Sequence, residues 1–227
     1  MLKKQLPHLT HLWAFLIILG ILFFDQGLKI YIKLNYPLSS YGAPAIVDWG
    51  FFKLLFVENK GMAMGTKLND FLPFFTEKSA KLFLTVFRLF AILGIGYWLW
   101  DNIRKKTRLL LHWALALIFA GALGNILDSV FYGRLFSHSY GQVATFLPPG
   151  GGYAPLFYGH VVDMLQFPLV EWTWPKWMPW VGGENYLFFQ YVFNVADTAI
   201  STGVGILIVF NKKIFKPQVK KDKTAAE

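Results

Sequence analysis

Two aspartates, Asp163 and Asp197, lie in otherwise apolar sequence at the edges of membrane-length segments. An ionised carboxylate at membrane depth costs at least ~2.5–3.5 kcal/mol on insertion scales, so a group retained there is a candidate for function. Two close carboxylates that share one proton supply an acid and a base to the same reaction. The two residues therefore predict a catalytic pair that performs acid–base chemistry.

More polar side chains accompany these segments. Asn194 lies three residues before Asp197 and Ser201 lies four residues after it, which predicts one helix face that points into a bundle. Asn125 and Asp128 end another apolar run. The small residues before them predict close helix packing, but packing does not account for the two polar side chains.

Asp25 and Lys29 are one helical turn apart in the first apolar run. Opposite charges at this spacing can pair and lower the cost of burying each other, so a structural ion pair is favoured over a catalytic role. The loop at 59–65 begins with Asn59 and contains Gly61, and its small residues would let the backbone approach a ligand or a helix end. By itself, this loop is only weak evidence for a ligand-binding site.

The sequence lacks the residues and motifs that other common catalytic and metal-binding sites require. The chain has no cysteine, which excludes disulfides, thiolate nucleophiles and cysteine-ligated metals. It also lacks the H-E-x-x-H, G-x-S-x-G and P-loop patterns. His160 and Asp163 could ligate a metal, but a third ligand is missing. We therefore expect no metal and no cofactor.

The composition is that of a membrane protein. Of the 227 residues, 55% are hydrophobic and 15% are charged, a balance that a water-soluble domain would struggle to keep off its surface. The net charge of +9 lies in short runs beside apolar segments, without a basic stripe among stacking aromatics, so we expect no nucleic-acid partner. An N-terminal signal peptide is disfavoured because no small-residue cleavage site follows the first run.

The fold class predicted is an all-α membrane protein: one domain, 1–227, with four transmembrane helices and a small extracytoplasmic sheet and loop region. Lysine and arginine cluster before the first helix, between the second and third, and after the fourth, which places these parts and both termini in the cytoplasm. The helices are expected at about 12–32, 81–100, 109–132 and 191–210. The extracytoplasmic segments are about 33–79 and 133–190, and the cytoplasmic tail is 211–227.

Each extracytoplasmic segment carries a local signal. Two apolar runs, 45–47 and 51–57, flank Asp48-Trp49-Gly50, which predicts a short hairpin with its turn at the Asp and Gly positions. The second segment contains four tryptophans among prolines, which predicts either rings at the lipid headgroups or ordinary loop packing: Trp172, Trp174, Trp177 and Trp180.

Taken together, the motifs resemble the lipoprotein signal peptidases, or signal peptidase II, of bacterial inner membranes. Five blocks match in order and extend over most of the chain from about residue 20 to 205: Asp25–Lys29, Asn59–Ala63, Gly121–Asp128, Gly159–Asp163 and Phe193–Asp197. The joint pattern is far more specific than any single block.

The resemblance implies an aspartyl protease that cleaves the signal peptide of prolipoproteins just before a diacylglyceryl-modified cysteine. The family's catalytic pair falls on Asp163 and Asp197. Its supporting and substrate-binding positions fall on Asp25, Lys29, Asn59, Gly61, Asn125 and Asn194, and Asp128 matches a frequent family position outside the pair. Diacylglyceryl prolipoproteins and membrane lipid are the expected partners, and we expect a monomer whose active site lies near the outer, periplasmic face.

Two features depart from the family pattern. Ser129 stands where relatives commonly have arginine, so the role of that arginine must be filled otherwise or be absent. Residues 134–158 resemble an insertion between the third helix and the Asp163 block, which could modify substrate access. A small ion- or proton-coupled transporter and a non-enzymatic lipoprotein-binding factor remain alternatives.

Overall fold

The computed structural model describes residues 7–39, 44–60 and 76–216, with side chains from residue 11 onward. Residues Asp128–Tyr132 form a π-helical turn. The helices are α1 Pro7–Asn35, α2 Glu77–Arg104, α3 Leu109–Leu127, α4 Gly133–Leu135, α5 Val195–Val209 and α6 Asn211–Ile214. The strands are β1 Val47–Asp48, β2 Lys53–Asn59, β3 Val161–Gln166, β4 Val170–Thr173, β5 Asn185–Phe188 and β6 Val192–Phe193.

Within the described ranges, three helices are long and apolar enough to cross a membrane: His11–Asn35, Glu77–Arg104 and Leu109–Leu135. Helix α5 is apolar but has 15 residues, fewer than the roughly 20 that a span requires. It begins at Val195 rather than near residue 191, because Val192 and Phe193 form strand β6 and Asn194 caps the helix. The prediction of a fourth span therefore stays a prediction.

Helix α3 lies at the centre of the bundle and packs against α1, α2 and α5. The predicted close approach occurs at Gly121, where an added Cβ would lie 2.3 Å from the carbonyl oxygen of Ala196 on α5. At Gly124 an added Cβ would lie 2.7 Å from Oδ2 of Asp25. The glycines of α3 thus admit both α5 and the Asp25 side chain.

The predicted hairpin is part of an antiparallel sheet with the order β1-β2-β3-β6. Its turn is closed by Asp48 Oδ1, which accepts a hydrogen bond from the Gly50 amide at 2.9 Å. Strand β2 pairs with β3 so that Val57 faces Asp163 and Asn59 faces Val161. Because side chains alternate along a strand, these residues share one face, and the residues between them point to the other.

A second, two-stranded sheet pairs β4 with β5. Trp172 and Trp174 pack with Tyr186 on this sheet, whereas Trp177 and Trp180 are 79% and 95% exposed. Loop packing therefore accounts for the first two tryptophans. Anchoring at lipid headgroups remains the prediction for the two exposed rings.

Candidate active site

Asp163 lies on β3, outside the helices, and is 5% exposed. Its Oδ1 accepts a hydrogen bond from Asn194 Nδ2 at 2.7 Å, and its Oδ2 accepts one from Asn59 Nδ2 at 3.3 Å. Strand pairing explains both neighbours, because β2 ends in Asn59 and β6 leads directly into Asn194. The sheet thus brings two amides to one carboxylate.

Asp197 lies in the first turn of α5, where it forms a capping box with Asn194. The Asn194 side chain accepts a hydrogen bond from the Asp197 amide at 2.9 Å, and the Asn194 backbone amide donates to Asp197 Oδ2 at 3.3 Å. Asn125 Nδ2 donates to Asp197 Oδ1 at 2.8 Å. Because Asn194 contacts both carboxylates, it joins the strand that carries Asp163 to the helix that carries Asp197.

This geometry corrects one expectation from the sequence. Asn194 precedes the first helical residue of α5 as its N-cap, so it meets Asp197 through capping rather than through a shared helix face. Ser201, one turn further along α5, is exposed, so it does not point into the bundle as the sequence predicted. Residues three apart do not share a helix face when the first of them is the N-cap.

Beneath the two carboxylates lies a fully buried cation. Lys29 Nζ is 2.8 Å from Asp25 Oδ2 and 2.8 Å from Asp128 Oδ2, and it donates to Asn125 Oδ1 at 2.9 Å. Lys29, Asp25 and Asp128 all have 0% exposure. The ion pair predicted from the spacing of Asp25 and Lys29 is present, and Asp128 is its third member.

Asp25 also supports α5 directly. Its Oδ1 accepts a hydrogen bond from the Ala196 amide at 2.9 Å, in the first turn of the helix. A carboxylate there satisfies an unpaired amide and interacts favourably with the helix dipole. The buried cluster thus fixes the end of the helix that carries Asp197.

Gln26 and Tyr132 also belong to the site, although they were not predicted from the sequence. Gln26 Nε2 donates to Asp128 Oδ1 at 2.9 Å, and the Tyr132 hydroxyl donates to Gln26 Oε1 at 3.0 Å. A glutamine beside Asp25 in an apolar run was the available signal for Gln26. The predicted supporting residue Gly61 lies outside the described residues.

His160 does not join Asp163. Its Nδ1 lies 3.0 Å from Glu58 Oε2, on the face of the sheet opposite to Asp163. Among the residues that the structure describes, no group of three or more His, Cys, Asp or Glu side chains could hold a metal.

Ser129 is buried, and its hydroxyl donates to the Asn125 carbonyl oxygen of its own helix at 3.0 Å. This uncharged hydroxyl therefore cannot supply the positive charge that the family resemblance leads us to expect here. The positive charge of Arg88, partly buried on α2, interacts favourably with both Asp197 and Asp163. A cation from a different helix thus acts on the carboxylates.

The environment of Asp163 favours its protonated form. Burial raises its pKa most, and the negative charge of Asp197 raises it further, to about 7, although hydrogen bonds from Asn59 and Asn194 act in the opposite direction. A carboxyl group that titrates near neutral pH beside a second carboxylate can hold or release a proton during a reaction.

Apolar helices of membrane length and two carboxylates that both accept hydrogen bonds from Asn194 define a multi-pass membrane protein with a site suited to acid–base catalysis. The sequence model of the signal peptidase (SPase) II family matches residues 17–212. The chain belongs to this family.

Curated relatives and solved structures agree with that assignment. A lipoprotein signal peptidase of Porphyromonas gingivalis is 44% identical over 197 residues, which cover 86% of this chain and 80% of the relative. One from Amoebophilus asiaticus is 33% identical and covers 87% of this chain and 76% of the relative. A bacterial membrane enzyme solved by the in meso method at 1.9 Å has a TM-score of 0.54 at 20% identity, covering 90% of this chain and 94% of that one, and shows the same fold. Family membership favours a peptidase over a transporter or a binding factor.

Proposed function

We propose that this protein removes the signal peptide from diacylglyceryl-modified prolipoproteins by cleaving just before the lipid-modified cysteine, and that it does so as an aspartic endopeptidase. The function rests on the family and its relatives. The aspartic mechanism is supported by one observation above all. Asn194 hydrogen-bonds both Asp163 and Asp197, so a strand and a helix present two carboxylates to one point.

In the proposed mechanism the two carboxyl groups share one proton, because two close carboxylates cannot both ionise cheaply. The ionised member takes a proton from water, which attacks the scissile carbonyl carbon. The protonated member donates a hydrogen bond to the carbonyl oxygen, and a proton then passes to the leaving nitrogen. Hydrolysis follows without a covalent enzyme intermediate.

The remaining site residues have supporting roles in this proposal. Asn194, Asn125 and Asn59 orient the carboxylates through their amides. Lys29 balances the buried charges of Asp25 and Asp128. Asp25 holds the start of α5, and Asp128 accepts a hydrogen bond from the Val162 amide on β3. Gly61 is proposed as part of the loop that receives the substrate backbone, on the family resemblance alone.

The proposed setting is the bacterial inner membrane, with four spans, both termini in the cytoplasm, a monomeric state and the active site near the periplasmic face. Consistent with this orientation, the basic loop before α3 meets the end of α6, where Arg108 Nη2 donates to the Lys216 carbonyl oxygen at 3.5 Å. A site at the outer membrane surface suits a substrate whose acyl chains stay in lipid while its cleavage site meets water.

The function is tested by incubating purified protein with a diacylglyceryl prolipoprotein and with the same precursor lacking the lipid. We expect the modified precursor alone to be shortened, with the lipid-modified cysteine at the new N-terminus. Binding of the precursor without cleavage would favour a lipoprotein-binding factor. Proton or ion flux in vesicles without cleavage would favour a transporter.

The rate of cleavage should depend on pH in a bell-shaped manner. Above about pH 7, where Asp163 titrates, the shared proton is lost and kcat/KM should fall. At acidic pH both carboxyl groups become protonated, no base remains, and the rate should fall again. Initial rates between pH 4 and pH 9 in one mixed buffer at constant ionic strength would check this. A flat profile across the acidic and neutral range would contradict a shared proton.

A further inference from the structure

A second buried charge cluster, Lys33, Glu58 and His160, lies behind the β2–β3 sheet and is called the rear cluster. Lys33 and Glu58 form an ion pair with 0% and 3% exposed side chains. His160 Nδ1 contacts the other oxygen of Glu58 at 3.0 Å. The mechanism above uses none of these three residues.

The segment 134–158 covers the Lys33–Glu58 pair of the rear cluster, whereas the His160 side chain stays partly exposed. Lys33 Nζ donates to Ser139 Oγ at 3.0 Å, and the Ser139 hydroxyl donates to Glu58 Oε1 at 3.2 Å. Aromatic rings complete the enclosure of the ammonium group, with centroids 5.1 to 5.7 Å from Nζ: Tyr153, Phe136 and Phe56. The apparent insertion therefore contributes a wall of this cluster.

Glu58 is ionised within this enclosure. Burial raises the pKa of Glu58, but the His160 hydrogen bond and the charge and hydrogen bond of Lys33 outweigh burial, so the pKa lies below its ordinary value. A buried ion pair of this kind contributes little net stability compared with an apolar replacement. A role in fixing geometry is therefore the better account of its presence.

The rear cluster is connected to the active site through the sheet. Glu58 immediately precedes Asn59, whose amide donates to Asp163, and His160 stands three residues before Asp163. Glu58 faces Val162 and Asn59 faces Val161 in the strand register. A slip of one residue between β2 and β3 would exchange the two faces of a strand. A contact of Glu58 on the face opposite Asp163 therefore also determines which β2 side chain lies beside Asp163.

We propose that Glu58 is a positioning residue for peptide cleavage: held by Lys33 and His160, it fixes the pairing of β2 with β3 and thereby keeps the Asn59 amide against Asp163. Glu58 touches no reacting atom and acts through Asn59. This role rests on the proposed peptidase function, because the activity assay that tests it measures peptide cleavage.

Glu58→Gln tests the proposal, with Asp48→Asn as the matched control. Asp48 is a half-exposed carboxylate on β1 of the same sheet, paired with Lys53 at 3.0 Å. At equal amounts of folded enzyme we expect Glu58→Gln to lower kcat by about 10- to 100-fold with KM changed less than twofold, since a misplaced catalytic group costs about that much. Asp48→Asn should resemble wild type.

The pH profile separates positioning from a loss of folded protein. The Asn59 hydrogen bond favours the ionised form of Asp163, so its loss should move the alkaline limb of the profile to higher pH. Glu58→Gln and Asn59→Ala should both produce this movement. The double variant should lose no more kcat than Asn59→Ala alone, because the two residues act in series.

Replacements of His160 give a second comparison. His160→Asn can keep an N–H donor near the position of Nδ1, whereas His160→Phe cannot. We expect His160→Asn to retain more kcat than His160→Phe at equal folded amounts. Multiplying effects in the Glu58→Gln/Asn59→Ala double variant, or an unchanged kcat and alkaline limb in Glu58→Gln, would overturn the proposal.

A measurement without substrate keeps this inference separate from the proposed function. If wild type fails to cleave any precursor, the proposed function fails, but the titration of Asp163 can still be followed by NMR in wild type and Glu58→Gln. A higher pKa of Asp163 in Glu58→Gln would support positioning by the rear cluster. The same pKa in both proteins would refute it.

Discussion

Asp163→Asn and Asp197→Asn are each expected to lower kcat for cleavage by about 10²–10⁴-fold, the contribution typical of a positioned acid or base. Asparagine preserves the size of the side chain but cannot exchange a proton. Asn194 and Asn125 can still contact the substituted groups, so the fold should survive. Prolipoprotein conversion by equal amounts of folded protein is the measurement.

The relative activities of the single and double variants show which two aspartates form the catalytic pair. The double variant Asp163→Asn/Asp197→Asn should be no worse than either single variant, because residues that act as a unit are not additive. Asp128→Asn should be impaired but active, since Asp128 pairs with Lys29 and not with either member of the pair. If Asp163→Asn cleaves like wild type, the pair is wrong and Asp128 becomes the partner to test.

Among the variants considered, Lys29→Met is expected to lower the free energy of unfolding most, by about 3–5 kcal/mol, because it leaves two buried carboxylates without their cation. Asp25 and Asp128 both lie 2.8 Å from Lys29 Nζ, and all three side chains are excluded from solvent. Removing the charge should release the start of α5, which Asp25 holds through the Ala196 amide. Activity should fall with the folded fraction.

Lys53→Met is the matched control for this change. Lys53 pairs with Asp48 at 3.0 Å, but both side chains are substantially exposed, and such pairs contribute about 0–1 kcal/mol. Thermal unfolding in one detergent would compare the two variants with wild type. A midpoint for Lys29→Met equal to that of Lys53→Met would show that the buried cation is dispensable.

Local patterns in the sequence predicted the parts of the site that lie within one element. The spacing of Asp25 and Lys29 predicted their ion pair, and the Asp48-Trp49-Gly50 turn predicted the β1–β2 hairpin. Both depend on contacts between residues close in the chain, where spacing fixes geometry. The small residues of α3 likewise predicted the close approach seen at Gly121.

The contacts that spacing could not predict are long-range. The sequence does not reveal that β3 pairs with β2 on one side and β6 on the other, although these pairings bring Asn59 and Asn194 to Asp163. Lys33 stands near the end of an apolar helix, where a lysine commonly extends to water. Its burial depends on Glu58 and on the segment 134–158, both distant in the chain.

At the start of α5, the sequence spacing correctly predicted that Asn194 and Asp197 lie together, but the contact is a capping box and not a shared helix face. Asn194 and Asp197 are three residues apart, which fits a shared helix face and also fits a capping box. The structure has the capping box, so α5 starts at Val195, and Ser201 is exposed rather than directed into the bundle. An asparagine followed three residues later by an acid was the signal for the helix start.

The proposed mechanism requires a proton shared between Asp163 and Asp197, and the titration of Asp163 tests this requirement directly. Protein with ¹³C-labelled aspartate carboxyl groups would be titrated by NMR, with the Asp163 signal assigned from its absence in Asp163→Asn. We predict a pKa of about 7 in wild type, and a lower value in Asp197→Asn, where burial remains but the neighbouring charge is gone. An ordinary carboxyl pKa that Asp197→Asn leaves unchanged would contradict the shared proton.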